Sequence, residues 1–148
     1  MTTTYEDDVA AWALEQVALL RTGQWGLLDI EHIAEEIEDM NISHRHQLAH
    51  RLAILMAHLL KWQYQPDRRG SSWECTIRGQ REKINRLLKR MPSLRRLLAD
   101  PQWERDVWDD ALDLVVHQAN LRDLPKSRPW DFEQLLSAEF FPDDYFPS

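Results

Sequence analysis

The sequence predicts an all-α fold, a helical bundle formed by a single domain over residues 1–148. Three observations predict it. Apolar residues recur at three- and four-residue steps along most of the chain. Only four glycines occur, which leaves few tight turns for a β fold. Hydrophobic residues make up 43% and charged residues 29%, as in ordinary folded domains. We expect about four long helices with short helices between them.

The first two helices are predicted from apolar periodicity. The first should span residues 5–22 and end at Gly23. The second should run from about residue 29 to residue 40, with Asp29 as its N-cap. Its inward face is expected to carry Ile30, Ile33, Ala34, Ile37 and Met40.

A third helix is expected from Ser43, as N-cap, to about Gln65, because Pro66 then stops it. Its apolar residues alternate steps of four and three, which indicates a seam that packs against antiparallel neighbours. The seam consists of Leu48, Leu52, Leu55, Leu59 and Trp62.

The fourth helix should begin at a capping box formed by Ser71 and Glu74. One face of this helix is apolar and most of the remainder is basic. The apolar residues are Ile77, Ile84, Leu87, Leu88 and Met91.

Prolines delimit the rest of the chain. Pro92 permits a short fifth helix over residues 93–99, and Pro101 suits the first turn of a sixth. The sixth helix is expected to bury Trp103, Val107, Ala111, Leu114, Val115 and Ala119. From about residue 122 we expect an irregular segment with a short helix near residues 132–137.

Charge is distributed in blocks. Residues 1–41 hold ten acids and one base, residues 66–96 hold ten bases and three acids, and residues 97–148 hold twelve acids and four bases. This layout favours acidic segments that pack over a basic middle, and an exposed basic face for a polyanion is the alternative. We do not expect nucleic acid as a partner, because the isoelectric point is near 5.3 and no DNA-binding motif occurs.

The compartment follows from cysteine usage and hydropathy. Cys75 is the single cysteine, so no intrachain disulfide is possible and a reducing environment is expected. The acidic, polar N-terminus is unlike a signal peptide. No apolar run approaches the roughly 20 residues that span a bilayer. We therefore predict a cytoplasmic protein without a membrane partner.

Polar residues near the ends of the predicted second, third and fourth helices form a candidate pocket. His58, Lys61 and Gln65 share one helix face beside the leucine seam. If the second and third helices are antiparallel neighbours, carboxylates meet that face, while two arginines could clamp an anion. The alternative is a structural ion-pair network that fixes helix register. The candidate residues are Glu35, Glu36, His58, Lys61, Gln65, Trp73, Arg78 and Arg81.

Metal binding is a second possibility that the sequence raises. Three pairs of potential ligands have helical spacing: His46 with His50, Asp113 with His117, and Asp29 with His32. The paired Glu-x-x-His motifs of di-iron bundles do not occur. We therefore predict no metal and no cofactor.

Four segments resemble a known bacterial family. They read LDIEHIAEEIE at residues 28–38, HLLKWQYQP at 58–66, SWECTIRGQR at 72–81 and PSLR at 92–95. The chain thereby resembles the family catalogued as domain of unknown function twenty-nine. The resemblance implies an all-α domain of about this length and no established activity. Where it implies a Glu-Thr-Gly-Leu-like stretch, this chain has Gln118-Ala119-Asn120-Leu121.

No catalytic motif accompanies these features: the chain has no Gly-rich phosphate loop, nucleophile elbow or HExxH. Whether it is an enzyme is uncertain, and the absence of a motif favours a non-enzymatic module. Seven tryptophans favour protein–protein binding or self-association. The alternatives are an enzyme or ligand-binding protein using the polar pocket and, third, nucleic-acid binding through the basic fourth helix.

Overall fold

The computed structural model describes residues 4–143, and every regular element among them is a helix. The all-α prediction is confirmed. Short 3₁₀ turns connect several of the helices, and residues 1–3 and 144–148 of the predicted domain lie outside the described residues. The α-helices are α1 (Val9–Arg21), α2 (Ile30–Tyr64), α3 (Ser71–Arg90), α4 (Arg95–Leu98), α5 (Pro101–Ala119) and α6 (Phe132–Leu136).

By its internal contacts the chain divides into two compact units, residues 1–44 and 45–148. The first unit contains α1. This helix begins after Asp8, whose carboxylate accepts a hydrogen bond from the Ala11 N–H at 3.1 Å. It ends just before Gly23, whose φ of 71° is the left-handed conformation that glycine adopts without strain. The predicted start at residue 5 is therefore wrong by four residues, because Asp8 supplies the cap.

The predicted second and third helices are one helix. α2 continues through residues 41–43, so the predicted end near Met40 and the Ser43 N-cap are wrong. The physical reason is that no glycine or proline interrupts residues 30–64, and Asn41 and Ser43 each cost a helix only about 0.5 kcal/mol. The antiparallel pairing expected of two separate helices has no turn here to produce it.

The apolar face at the start of α2 is also different from the prediction. Ile30, Ile37 and Met40 were expected to point inward, but their exposed fractions are 67%, 57% and 54%. Periodicity shows which side chains share a face, and it does not show whether another element covers that face.

The hydrophobic core of the second unit is built on the leucine seam. Leu48, Leu52, Leu55 and Leu59 are fully buried, as predicted, whereas Trp62 is half-buried. α3 contributes its predicted apolar face, and α5 and the C-terminal segment complete the core. Those further core residues are Ile77, Ile84, Leu87, Leu88, Leu94, Val107, Trp108, Ala111, Val115, Trp130 and Leu135.

Helix boundaries in the second unit follow the prolines. Asp100 caps α5 directly before Pro101, as the first-turn proline predicts. The predicted fifth helix is a 3₁₀ turn at Pro92–Leu94 followed by α4. Asp131 and Gln134 form a capping box at α6. The capping box predicted at Ser71 does not form, because Gly70 is the extended N-cap and Ser71 is already helical.

Candidate functional site

The structure places the eight residues of the candidate pocket in different units. Glu35 and Glu36 belong to the first unit, on the N-terminal half of α2. The other six belong to the second unit, on the last turns of α2, just after it, and on α3. Among these six the structure brings Lys61 close to Trp73.

Lys61 is a buried cation with neutral neighbours. Its side chain is 7% exposed, and its ammonium lies 5.9 Å from the centroid of the Trp73 ring. Nζ donates a hydrogen bond to Gln118 Oε1 at 2.6 Å. Burial lowers the pKa of the Lys61 ammonium because desolvation penalises its charged form. The contact of Lys61 with α5 could not be predicted from residue spacing, since 57 residues separate Lys61 from Gln118.

Arg81 was expected on the polar side of its helix, and it lies on the buried side. It is 3% exposed, with Nε donating to the Leu135 carbonyl at 2.8 Å and Nη2 to the Phe140 carbonyl at 2.6 Å. Its guanidinium also lies 5.5 Å from the centroid of the Phe141 ring. These bonds use the guanidinium to hold the C-terminal segment, while Nη1 has no partner among the described residues.

The remaining residues of the set make local contacts. His58 Nδ1 lies 2.9 Å from the Ile54 carbonyl one turn earlier, and burial lowers the pKa of this imidazole. Arg78 is exposed and pairs with Glu74 on its own helix at 3.0 Å. Gln65 has a buried Oε1 without a hydrogen-bond partner in the described structure.

The first unit holds a separate polar network around His32. His32 Nδ1 lies 2.7 Å from Asp29 Oδ2, which also accepts a hydrogen bond from Trp12 Nε1 at 2.9 Å. The hydrogen bond that His32 donates to the Asp29 carboxylate raises the pKa of His32, and the same bond lowers the pKa of Asp29. The ring of Tyr5 stacks on the imidazole of His32, with the two ring centroids 4.2 Å apart.

Glu36 joins this network from the next turn of α2. The Tyr5 hydroxyl donates to Glu36 Oε1 at 2.5 Å. That bond is the main cause that raises the pKa of Tyr5 to about 12. Glu36 therefore has a partner in its own unit, which is the kind of structural network that the sequence offered as the alternative to a pocket.

Two residue pairs that the sequence offered as metal ligands line a cleft in the second unit. The cleft has a volume of about 470 Å³ and lies between α2 and α5. We call it the α2–α5 cleft. Its lining residues are His46, Ala49, His50, Ala53, Asp110, Asp113, Leu114, His117 and Gln118. The spacing of each pair was visible in the sequence, but their position on facing walls depends on how the helices pack.

The polar side chains that line the α2–α5 cleft are exposed, whereas Ala53 is buried and Ala49 and Leu114 are half-buried. His117 Nδ1 lies 2.7 Å from the Asp113 carbonyl, which leaves Nε2 for other partners. Among residues 4–143 no group of three His, Cys, Asp or Glu side chains is placed to hold a metal ion. None of the helices described is long and apolar enough to cross a membrane.

Comparison with known proteins finds a family match. A family model described as "Domain of unknown function DUF29" matches residues 4–141 of the chain. This range contains all four of the sequence segments quoted above. No curated protein and no solved structure matches the chain.

Proposed function

Because the chain belongs to this family, whose description names no activity, we propose a function from its geometry: a non-enzymatic helical module that binds another protein. The binding surface proposed is the apolar surface of the N-terminal unit. The observation that carries the proposal is the uneven distribution of exposed apolar side chains.

Ten of the eleven large apolar side chains that are exposed among the described residues lie between residues 9 and 42. Scattered single exposed leucines are ordinary, but a concentration of this kind is typical of an interaction surface. The side chains are Val9, Leu14, Val17, Leu20, Trp25, Leu27, Ile30, Ile37, Met40 and Ile42.

The most regular part of this surface is a row on α2. Ile30, Ile33, Ile37 and Met40 follow each other at steps of three, four and three, which is heptad spacing. We call these four residues the α2 seam. Three of them are more than half exposed, and such a row on a helix suits packing against another helix.

The charges beside the α2 seam indicate the chemistry of that partner helix. Acids occupy most of the neighbouring positions, namely Glu31, Glu35, Glu36, Glu38 and Asp39. Ten acids and one base in residues 1–41 would repel the same surface of a second copy. The partner we propose is therefore an amphipathic helix whose apolar row is flanked by lysine or arginine.

Peptide titration tests this proposal. A helical peptide with a leucine row flanked by lysines is titrated into the full chain and compared with the same peptide flanked by glutamates. A scrambled lysine peptide of equal composition controls for unspecific charge attraction. We expect saturable binding of the lysine helix alone. Equal binding of the scrambled peptide, or a stable dimer of the chain by light scattering, would contradict the proposal.

The cytoplasm is the compartment that we propose for this module. Cys75 is exposed and free, and an exposed thiol persists in a reducing environment. The sequence also raised a ligand-binding or enzymatic function at the predicted polar pocket. The hydrogen bonds of Arg81 and the Glu74 partner of Arg78 favour a structural role for those two residues instead.

A further inference from the structure

The α2–α5 cleft is large enough for a small molecule. Its volume of about 470 Å³ lies within the range of roughly 300–1,000 Å³ that is usual for ligand sites. Ala49, Ala53 and Leu114 supply apolar surface, and the two alanines are too small to fill the space between the helices. An apolar body of modest thickness therefore fits between α2 and α5.

The ionisable side chains of the lining are carboxylates and imidazoles. Asp110 and Asp113 supply carboxylates, and no lysine or arginine belongs to the lining. Partial desolvation raises the pKa of Asp110, and the nearby carboxylates of Asp113, Asp106 and Asp109 raise it further. A positive charge placed between Asp110 and Asp113, the two carboxylates of the lining, would relieve the repulsion between them.

The imidazoles add flat, polarisable surface. His46 and His50 lie one turn apart on α2, and His117 faces them from α5. At one end of the cleft the carbonyl of Gln118 is occupied by Lys61, so its amide N–H groups are what it can offer to a ligand. The lining thus combines stacking surface, carboxylates and an amide donor.

We propose that the α2–α5 cleft binds a small organic cation with a flat apolar body, of the arylalkylamine class. The aromatic body lies against the alanines and imidazoles, and the ammonium lies at Asp110 and Asp113. This site is separate from the α2 seam and does not depend on the function proposed for it. A bound transition metal is the competing occupant, and the test treats it as an alternative outcome.

The test uses three probes that share one aromatic body. 2-Phenylethylamine, 2-phenylethanol and 3-phenylpropanoate are cationic, neutral and anionic at pH 7. Each is titrated into the full chain with labelled histidines, with chelator present, and the imidazole C–H signals are followed by NMR. We expect saturable shifts at His46, His50 and His117 with the amine, and binding at least about fivefold weaker for the alcohol.

Variants locate the charge requirement. The double variant Asp110→Asn with Asp113→Asn should bind the amine only as weakly as the wild type binds the alcohol. Asp109 is an exposed neighbour on α5, and Asp109→Asn should change the affinity for the amine by less than about twofold. Ala49→Phe should fill the cleft and abolish binding of all three probes. Equal binding of the three probes, or no binding of the amine, would overturn the proposal. In the second case, saturable shifts of these imidazoles by Zn²⁺ in the absence of chelator would identify a metal as the occupant.

Discussion

Lys61 donates a hydrogen bond from its buried ammonium to the neutral side-chain carbonyl of Gln118, 2.6 Å away on α5. A carboxylate would be the usual partner for a cation that is 7% exposed. The other neighbour described for this ammonium is the face of Trp73, which is also uncharged. The pair therefore stabilises the ammonium less than an ion pair would, and two predictions rest on that.

Lys61→Met should leave stability unchanged or raise it by up to about 2 kcal/mol, because a buried charge with neutral partners is replaced by an apolar chain of similar shape. Urea denaturation measures this. The pKa of Lys61 is lowered from 10.5, so the folded state binds fewer protons than the unfolded state between the two values. Wild-type stability should then rise with pH in that interval, and the variant should lack this rise. A loss above about 2 kcal/mol in the variant would contradict the account.

Gln118→Glu should stabilise the fold by about 1 kcal/mol, because the Lys61 ammonium would then bond to a carboxylate instead of a neutral amide, which adds the attraction of opposite charges. The pKa of Lys61 should rise at the same time. The double variant with Lys61→Met is the control, and it should show no gain from the glutamate. The same gain in both backgrounds would mean that position 118 acts without Lys61.

Two tryptophans in the second unit should differ in their contribution to stability. Trp108 is 1% exposed, and its Nε1 donates to the Pro125 carbonyl at 3.1 Å. Trp108→Ala should therefore cost about 3–5 kcal/mol. Trp62 is half-buried against Phe141, with ring centroids 4.7 Å apart. Trp62→Ala should therefore lower the free energy of unfolding by about half as much as Trp108→Ala. Equal losses in thermal or urea unfolding would contradict this description of the core.

His32 should titrate above its ordinary pKa of 6.5, mainly because of the hydrogen bond with Asp29. Because the pKa of His32 is raised in the folded state, the stabilisation that protonated His32 gains from Asp29 is fully present below about pH 6.5. This stabilisation is lost as pH rises through the folded-state pKa of His32. Asp29→Asn should return the pKa of His32 towards 6.5 or lower, as followed by NMR of its ring C–H. Glu6→Gln, at the other ring nitrogen, is the control and should have a smaller effect.

Most of the helical structure could be predicted from apolar periodicity and from proline. The leucine seam of α2 and the start of α5 at Pro101 were predicted correctly. Both follow from local sequence: the seam from the spacing of its leucines, and the helix start from the N–H group that proline lacks. The break expected before Ser43 does not exist, since weak helix formers inside a long helix cost too little to end it.

The candidate sites could be predicted only in part. Spacing placed His46 with His50 and Asp113 with His117, each pair on one helix face. That the two faces meet at one cleft depends on tertiary packing, which periodicity does not contain. The burial of Arg81 could not be predicted, because it lies among the other arginines of α3 in the sequence and its two carbonyl acceptors are more than fifty residues away.

The central claim is that the exposed α2 seam binds a basic amphipathic helix. Ile37→Gln with Met40→Gln tests it most directly, because both side chains are more than half exposed and glutamine preserves helix propensity. Val116→Gln removes a similarly exposed apolar side chain from the second unit and is the matched control.

Calorimetric titration with the lysine-flanked helical peptide should show at least a tenfold loss of affinity in the double variant, as expected when about 1.4 kcal/mol of contact is removed. The Val116→Gln control should bind like the wild type. Unchanged affinity in the double variant, with its fold intact by circular dichroism, would contradict the claim.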